Sequence, residues 1–319
     1  MIKLNYPKFW QTNSWLSLLL TPASWIYLLF GKIRLWVTKP IKIPAFVICV
    51  GNITVGGSGK TQIVKWLCQN LQPKYNILVV TKGYGSNLKQ AKIVSAQDLA
   101  SNVGDEAKLL SSYSNVIAAR SPQEALPLIK EAKPEIVIFD DGLQNPGFIK
   151  DMNILAINTE RGFGNQKIFP AGPLRQTHHS VDARIDCNIL IGNKPLNTLI
   201  NTKSPCFNAQ IEAENYKSTK NYLAFSGIAN PNSFFDLLNS LSFKVKHTIS
   251  FPDHYNYGPK DIKTLLNNAK QKSLHLITTE KDYVKLQNMV NIEYLPVNLK
   301  IDNDKELIKF IYEKITISN

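Results

Sequence analysis

The chain of 319 residues is long enough to bury a full core and to form two domains of ordinary size. Its four cysteines form no CxxC pair and have no histidine at ligand spacing, which argues against structural zinc and favours buried thiols in a reducing compartment. The net charge of +13 is concentrated near the N-terminus, because no Asp or Glu precedes Asp98 and the first 97 residues carry 12 Lys or Arg. Such a basic segment predicts a polyanionic partner, either nucleic acid or anionic lipid.

An uncharged apolar segment, WLSLLLTPASWIYLLF at residues 15–30, lies between basic flanks. It is short for a membrane span, is interrupted by Pro22, and lacks the small-residue cleavage site of a secretory signal. Aromatic and basic residues around an apolar run are typical of a segment that lies in one membrane leaflet, so we predict a membrane-associated helix within residues 1–40. A buried core helix is the alternative. Nucleic acid is disfavoured, because its binding surfaces interleave basic and aromatic side chains.

The stretch FVICVGNITVGGSGKT, residues 46–61, combines a strand with a glycine-rich turn that closes on Lys60 and Thr61. Glycines let backbone amides approach an anion, and a helix that begins here favours negative charge at its N-terminus. Lys60 would contact the β- and γ-phosphates of a nucleotide, and the Thr61 hydroxyl would bind Mg²⁺. Thr54 stands where the general phosphate-loop pattern has glycine. The predicted nucleotide-binding residues are Thr54, Val55, Gly56, Gly57, Ser58, Gly59, Lys60 and Thr61.

From residue 46 onward, short apolar runs alternate with helical stretches, which favours a P-loop NTPase-like α/β fold with a doubly wound, mostly parallel sheet. A polar, irregular stretch over residues 193–220 marks a change of domain, and a second alternating set follows it. We therefore predict a P-loop domain over residues 41–212, to which the N-terminal segment belongs, and a smaller α/β lobe over residues 213–319. The predicted strands of the first domain are 46–50, 77–81, 116–119, 136–140, 154–158 and 188–191.

Two carboxylates, Asp140 and Asp141, follow the apolar strand of EIVIFDDGLQ at residues 135–144. Ligands of open α/β sheets bind at the carboxyl ends of strands. Asp140 is therefore predicted to hold Mg²⁺ together with Thr61, and Asp141 to orient or deprotonate a nucleophile. A simple strand-ending turn is the alternative.

The segment GDEAKLL, residues 104–110, places Asp105 and Glu106 in the first turn of a helix, where acids also serve the helix dipole. Asp105 is a candidate base for the proton of an alcohol acceptor, and Glu106 is added to the predicted metal ligands. His254, between aromatic residues in FPDHYNY, is the best histidine for a catalytic or orienting role, although a lone histidine is more often structural.

Two arginines are candidates for contact with an anionic substrate group. Arg175 follows a rigid turn in FPAGPLRQ, residues 169–176, and its guanidinium suits such a group, with a plain surface arginine as the alternative. Arg120, directly after the strand at 116–119, is the second candidate. The segment TTEKDYVKL, residues 278–286, also follows a strand, and its charged residues belong either to a cleft or to the start of a helix.

These segments together resemble the tetraacyldisaccharide 4'-kinases, which belong to the lipid A pathway of Gram-negative bacteria. The similarity runs in the family's order through VGNITVGGSGKT, TKGYGS, GDEAKLL, FDDGLQ, PAGPLRQ, FSGIANPNSFF, FPDHYNY and TTEKDYVKL. The family's usual GDEP is GDEA here, with Ala107, and its usual threonine in the phosphate loop is Ser58. Both changes leave the acids and glycines in place.

The resemblance implies transfer of the γ-phosphate of ATP to the 4'-hydroxyl of a tetraacylated glucosamine disaccharide 1-phosphate, with Mg²⁺. It implies a larger nucleotide-binding lobe and a smaller C-terminal lobe that close over ATP, with an N-terminal helix at the membrane surface. The implied location is the cytoplasmic face of the bacterial inner membrane, with the protein peripheral or monotopic. Neither nucleic acid nor an obligate protein partner is expected.

Residue roles follow from the same resemblance. Asp105 looks like the base toward the sugar hydroxyl, His254 assists it, and Asp140 and Asp141 support the metal and the site geometry. With Lys60 at the phosphates, the implied catalytic residues are Lys60, Asp105, Asp141 and His254. The residues alone leave open whether Asp105 or Asp141 is the base.

Two other functions are compatible with the phosphate loop. The first is an NTP hydrolase of the partitioning or metal-insertion type, since those proteins also have GGxGKT loops. The second is a non-enzymatic, ATP-gated binding protein of the membrane surface. The fate of a labelled γ-phosphate distinguishes them, because the label would go to lipid, to water or to neither.

Overall fold

The computed structural model of this chain describes residues 7–194, 203–214, 218–286 and 291–318. Two short 3-10 helices, Lys8–Trp10 and Val284–Leu286, accompany the main elements. The strands are β1 (Phe46–Gly51), β2 (Ile77–Thr81), β3 (Lys92–Ile93), β4 (Asn115–Ala118), β5 (Ile136–Asp140), β6 (Met152–Asn158), β7 (Cys187–Ile191), β8 (Cys206–Ala213), β9 (Asn221–Ser226), β10 (Lys244–Ser250), β11 (His275–Thr279), β12 (Ile292–Leu295) and β13 (Val297–Ile301). The helices are α1 (Trp15–Leu19), α2 (Thr21–Val37), α3 (Lys60–Leu71), α4 (Ala100–Val103), α5 (Asp105–Leu110), α6 (Pro122–Ala132), α7 (His178–Asp182), α8 (Pro231–Ser240), α9 (Pro259–Gln271), α10 (Glu280–Tyr283) and α11 (Asp304–Ser318).

The large sheet has β1 at its centre, paired in parallel with β5 on one side and β6 on the other. The order of its strands among the described residues is β13-β8-β7-β6-β1-β5-β2-β4-β3, and only the pairs at the two edges are antiparallel. Every residue of β1 and β5 is buried, as expected for strands whose two faces are both covered. The predicted doubly wound, mostly parallel sheet is confirmed, and the carboxyl ends of β1 and β5 lie side by side.

A second, smaller sheet has the order β10-β9-β11-β12, and all of its pairs are parallel. Phe234 and Leu238 of α8 pack on one face of this sheet, and Ile262 and Leu265 of α9 pack on the other. The predicted second α/β unit is therefore confirmed as a sheet with helices on both faces.

The chain crosses between the two sheets more than once. β8 lies inside the stretch over 193–220 that was predicted to be irregular, and residues 195–202 and 215–217 of that stretch lie outside the described residues. After β12 the chain returns, because β13 pairs with β8 of the large sheet and α11 packs on the core of that sheet. Residues 297–318 thus lie with the large sheet, whereas the sequence predicted them in the smaller lobe over 213–319. The division at residues 40 and 212 stays a prediction.

The N-terminal apolar segment forms two helices with their apolar side chains exposed. Pro22 stands in the first turn of α2, where its missing amide hydrogen is not needed, so it separates α1 from α2 without breaking either. Trp25 and Phe30 are each 67% exposed and Trp36 is 88% exposed. The alternative of a buried core helix is therefore wrong. No described helix combines the length and the apolarity that a membrane crossing requires.

The side of these helices that faces the protein carries two buried serines, beside Leu28, which packs on the core, and Tyr27, whose ring meets that of Phe169. The buried hydroxyls of Ser17 and Ser24 donate to the carbonyls of Ala171 and Ile168, each over 2.7 Å. An ordinary surface helix buries its apolar stripe, whereas most of the large apolar side chains of α1 and α2 are exposed. The hydrogen bonds fix the helices on the segment that also carries PAGPLRQ, so the apolar surface has a defined place on the molecule.

Candidate active site

The phosphate loop connects β1 to α3 and ends on a glycine that its geometry requires. Gly59 has φ +83°, in the left-handed region, and Lys60 after it is the first residue of α3. A Cβ at Gly59 would also lie 2.5 Å from Cδ1 of Ile191. Because α3 begins at the end of the loop, its unpaired N-terminal amides form an anion-binding position there.

Backbone hydrogen bonds tie the phosphate loop to the PAGPLRQ segment. The amide of Val55 donates to the carbonyl of Pro173 over 2.8 Å, and the amide of Arg175 donates to the carbonyl of Ile53 over 2.7 Å. Arg175 is thereby brought beside the loop, with Nη1 3.1 Å from Oδ1 of Asp141.

Asp140 ends β5 and is buried beside the start of α3. The Thr61 hydroxyl lies 3.5 Å from its Oδ2, while its Oδ1 is buried and has no hydrogen-bond partner among the described residues. Burial, followed by the negative charges of Glu106 and Asp141, raises the pKa of Asp140 to about 8. The positive charges of Lys60 and Lys281 oppose this rise without cancelling it, so a bound cation would further stabilise the ionised carboxylate.

Asp141 lies between two cations. Its Oδ1 is 3.6 Å from Nζ of Lys60 and 3.1 Å from Nη1 of Arg175. Burial acts to raise the pKa of Asp141, but the charges of Lys60 and Arg175 outweigh it and lower the pKa to about 2. A carboxylate held in this way is a poor proton acceptor and a good counter-ion for the phosphate-loop lysine.

Asp105 and His254 form a pair that joins the two sheets. Asp105 starts α5 on the large sheet, and His254 follows β10 of the small sheet, with 3.2 Å between Oδ2 of Asp105 and Nδ1 of His254. Lys285 Nζ lies 3.5 Å from the same carboxylate oxygen. Lys281 Nζ lies 3.3 Å from Nε2 of His254 and 3.5 Å from Oε1 of Glu106. The small sheet therefore places His254 and the positive charges of Lys285 and Lys281 around Asp105.

These groups of the small sheet decide the charge of Asp105. Burial acts to raise its pKa, but the hydrogen bond with His254 and the charges of Lys285 and Lys281 outweigh that effect and lower the pKa. Asp105 is therefore ionised at neutral pH and accepts hydrogen bonds. An ionised carboxylate with a histidine partner is a recognised arrangement for taking a proton from a hydroxyl group.

The loop with TKGYGS packs against the start of α5 through two glycines. A Cβ at Gly104 would lie 2.8 Å from the Cα of Gly83, and Gly104 has φ 99° and ψ 149°, a region essentially restricted to glycine. Tyr84 of the same loop lies edge-on to the His254 ring, with 5.1 Å between the ring centroids. The loop therefore forms one wall beside the Asp105 and His254 pair.

We expect Gly104→Ala to lower the free energy of unfolding by about 3 kcal/mol, because a side chain there meets both backbone strain and the Gly83 backbone. Gly85→Ala is the matched control, since Gly85 also has positive φ but has nothing within 4 Å of the Cβ that the substitution adds, and it should cost only about 1 kcal/mol. Urea denaturation measures both. Equal losses for the two variants would contradict the close approach of Gly83 and Gly104.

The remaining predicted residues occupy different positions. Glu106 lies on the same turn as Asp105 and contacts Lys281. Arg120 follows β4, and its guanidinium donates to the carbonyl of Leu88. Among the described contacts none joins Arg120 to Lys60 or Asp105, so its role toward a substrate stays a prediction.

Lys285 is a contact of Asp105 that the sequence did not single out. It lies in the 3-10 helix after α10, and its side chain is nearly fully buried, with Nζ 2.7 Å from Oδ1 of Asp282. The signal available in the sequence was its spacing of four from Lys281 within TTEKDYVKL, which places both lysines on one helical face. The charged residues of this segment were predicted either to line a cleft or to start a helix, and the structure shows both. Glu280 begins α10, and Lys281 contacts His254 of the candidate site.

Comparisons with known proteins identify the family of this chain. The family model described as tetraacyldisaccharide-1-P 4'-kinase matches residues 16–316. Tetraacyldisaccharide 4'-kinases of Rickettsia canadensis and Rickettsia akari are 46% and 44% identical to this chain, and each alignment covers 100% of both sequences. A crystal structure of LpxK from Aquifex aeolicus in complex with ATP has a TM-score of 0.77 at 28% identity and covers 94% of this chain and 99% of its own. The chain therefore belongs to the tetraacyldisaccharide 4'-kinase family.

Proposed function

We propose that this chain transfers the γ-phosphate of ATP to the 4'-hydroxyl of a tetraacylated glucosamine disaccharide 1-phosphate. Membership of the family supports this reaction. The observation in the structure that carries it is the pairing of Asp105 with His254 across the two sheets, beside the elements that hold the phosphate loop. A hydrolase would need to position only water, whereas a carboxylate held by a histidine from a second lobe suits a larger alcohol acceptor.

ATP is the proposed phosphate donor. The phosphate loop from Thr54 to Thr61 precedes α3 and supplies backbone amides, and Lys60 supplies a positive charge near the β- and γ-phosphates. The related LpxK from Aquifex aeolicus was crystallised in complex with ATP, which supports the same ligand here. When a phosphate occupies the loop, Lys60 can exchange its contact with Asp141 for a contact with the nucleotide.

Mg²⁺ is proposed at Thr61 and Asp140, with Glu106 nearby. The residues fit the ion, because Oδ1 of Asp140 is buried and has no hydrogen-bond partner in the described part of the chain. The raised pKa of Asp140 also indicates that its negative charge is poorly compensated. No group of three or more His, Cys, Asp or Glu side chains in the described residues is arranged to hold a metal ion. The bound ion would therefore take its other ligands from water and phosphate oxygens, and would neutralise charge on the phosphates.

Asp105 is the proposed base for the acceptor. The hydroxyl oxygen attacks the γ-phosphorus, its new bond to phosphorus replaces the bond to the ADP oxygen, and its proton passes to Asp105. His254 holds the carboxylate in place and stabilises it through Nδ1. The low pKa of Asp105 is acceptable because the transition state of phosphoryl transfer is loose and demands alignment more than strong base catalysis.

Arg175 and Arg120 remain proposed contacts for anionic groups of the acceptor. Arg175 already lies beside the phosphate loop, with its guanidinium on Asp141. Arg120 is exposed at the carboxyl end of β4, which is the same edge of the sheet that carries the phosphate loop and Asp140. Both positions are compatible with a phosphorylated sugar that lies across this edge.

The acylated substrate also accounts for the exposed surface of α1 and α2. We propose that this surface lies in the membrane interface at the cytoplasmic face of the inner membrane, with basic residues such as Lys32 and Arg34 near anionic headgroups. The polar contacts of Ser17 and Ser24 hold the helices in the orientation that this requires. On this proposal the protein is peripheral or monotopic.

Serine substitutions on this surface are expected to weaken membrane binding. Trp25→Ser and Phe30→Ser should each lower the partition coefficient on anionic phospholipid vesicles by about tenfold, because each removes a large apolar side chain from the interface. Cosedimentation with vesicles measures the effect. Ile317→Ser, at an 83% exposed position on α11, is the control and should bind like the unmodified chain. Unchanged binding of the two N-terminal variants would refute the assignment of this surface.

The proposed reaction is tested with γ-labelled ATP, Mg²⁺ and the lipid disaccharide in detergent micelles. Label in the lipid supports the kinase. Label only in inorganic phosphate would indicate a hydrolase, and ATP binding without transfer would indicate a binding protein. Omission of the lipid provides the control, because a kinase should then consume little ATP.

A further inference from the structure

A buried ion pair joins α3 of the large sheet to α10 of the small sheet. Lys65 and Glu280 are only 2% and 8% exposed, and Nζ of Lys65 lies 3.1 Å from Oε2 of Glu280. Nζ also donates to the carbonyl of Val297 over 2.9 Å, at the start of the strand that returns to the large sheet. Neither residue belongs to the phosphate loop, and neither touches Asp105 or His254 in the described contacts.

A third residue completes this cluster. The hydroxyl of Tyr113 donates to Oε1 of Glu280, and the Tyr113 ring lies under Nζ of Lys65 with 4.2 Å between Nζ and the ring centroid. Tyr113 lies three residues after the end of α5, and its amide donates to the carbonyl of Leu110 over 2.9 Å. Glu280 is the first residue of α10. Its carboxylate accepts hydrogen bonds from Lys65 of α3 and from Tyr113, which lies just beyond α5.

The three helices joined in this way carry the proposed active site. α3 begins with Lys60 and Thr61, α5 begins with Asp105, and Lys281 of α10 reaches His254. Lys65 is one helical turn from Thr61, and Glu280 is next to Lys281 in the chain. A shift of the cluster would therefore move the phosphate loop, the base and the histidine partner relative to one another.

We infer that Lys65, Glu280 and Tyr113 form a positioning cluster that sets the acceptor base against the phosphate loop across the two sheets. The inference rests on the proposed kinase function and adds residues that touch neither substrate. A buried charged pair is a costly way to gain stability, since apolar residues of similar size often serve as well. Its directional bonds do fix geometry, and catalysis is sensitive to small errors in alignment.

The kinetic test uses Lys65→Met, Glu280→Gln and the conservative Tyr113→Phe, which leaves no unpaired buried charge. We expect kcat for lipid phosphorylation to fall about tenfold or more in the first two variants and about threefold to tenfold in Tyr113→Phe. The KM for ATP should change by less than about threefold, because the phosphate loop is intact. Lys65→Arg should recover much of kcat. The control is Lys300→Met, which breaks an exposed pair with Glu212 and should leave kcat unchanged.

Coupling and folding are checked alongside. The double variant of Lys65→Met with Glu280→Gln should lose no more activity than the worse single variant, since both remove one interaction. Hydrogen exchange of α5 and α10 amides should be faster in Tyr113→Phe than in the unmodified chain, with α6 unchanged. A kcat within about twofold of the unmodified chain in Tyr113→Phe and Lys65→Met would overturn the inference.

The same experiment separates this inference from the proposed function. An unmodified chain that places no phosphate on lipid would refute the proposed function. Hydrogen exchange would then still decide the cluster, because unchanged exchange in α5 and α10 of the variants would show that it does not hold these helices together. If Lys65→Met does not fold, the kinetics and hydrogen exchange of Tyr113→Phe decide the outcome.

Discussion

Asp105→Asn is expected to lower kcat for lipid phosphorylation by about 10²–10⁴-fold, the range observed for removal of a general base. The amide that replaces the carboxylate keeps its size but cannot take the proton of the acceptor hydroxyl. ATP should still bind with a dissociation constant within about threefold of the original, because the phosphate loop lies on a separate element. Single-turnover transfer and equilibrium nucleotide binding provide the two measurements.

Asp236→Asn is the matched control for this substitution. Asp236 is exposed on α8 of the small sheet, so the variant loses the same charge without touching the site. A kcat for Asp105→Asn close to that of the control would remove Asp105 as the base. If Asp141→Asn instead abolished transfer while Asp105→Asn did not, the base would have to be assigned to the residue that Lys60 and Arg175 now hold.

Lys60→Met is expected to lower kcat/KM for ATP by about 10²–10³-fold, since it removes a preorganised positive charge from the phosphates that carry the developing charge. The free energy of unfolding should change little, because Asp141 keeps its contact with Arg175. Lys130→Met, at an exposed position on α6, provides the control. Initial rates over a range of ATP concentrations measure the effect, and values for Lys60→Met within about threefold of the control would contradict the assignment.

The elements of the large sheet were predictable because their sequence signals are local. β1 and β5 are continuous apolar runs that end in a glycine-rich turn or in two carboxylates, and such runs occur in strands buried on both faces. β8 was missed because only Phe207 and Ala209 of its eight residues are buried. Its polar sequence resembles a loop, and its strand conformation depends on pairing with β7 and with β13 from the end of the chain.

In the candidate site, too, the local features were predictable and the long-range contacts were not. The phosphate loop was readable as a contiguous segment, whereas the approach of Asp105 to His254 joins residues 149 positions apart. No spacing rule predicts such a contact, because it forms only when the small sheet lies against α5. Lys285 was overlooked for the same reason, since its role appears only when the small sheet is placed against α5.

The exposed apolar surface of the N-terminal segment was predictable, whereas the side by which it attaches to the protein was not. Its apolar run predicted a helix at a membrane surface, and α2 does expose Trp25, Phe30 and Trp36. No pattern in the segment indicates that Ser17 and Ser24 face the protein, because buried hydroxyls on a helix are recognised only from their acceptors. The two serines fix the orientation of this surface together with Leu28, which packs on the core, and Tyr27, whose ring lies edge-on to that of Phe169.

The identity of the phosphorylated product distinguishes the proposed kinase from every alternative. The unmodified chain is incubated with ATP, Mg²⁺ and purified tetraacylated disaccharide 1-phosphate, and the lipid is analysed by mass spectrometry and by phosphorus–proton correlation. We expect one added phosphate, whose signal correlates with the proton at the 4' carbon. ATP consumption without a gain of lipid mass, or a phosphate on a different oxygen, would contradict the proposed reaction.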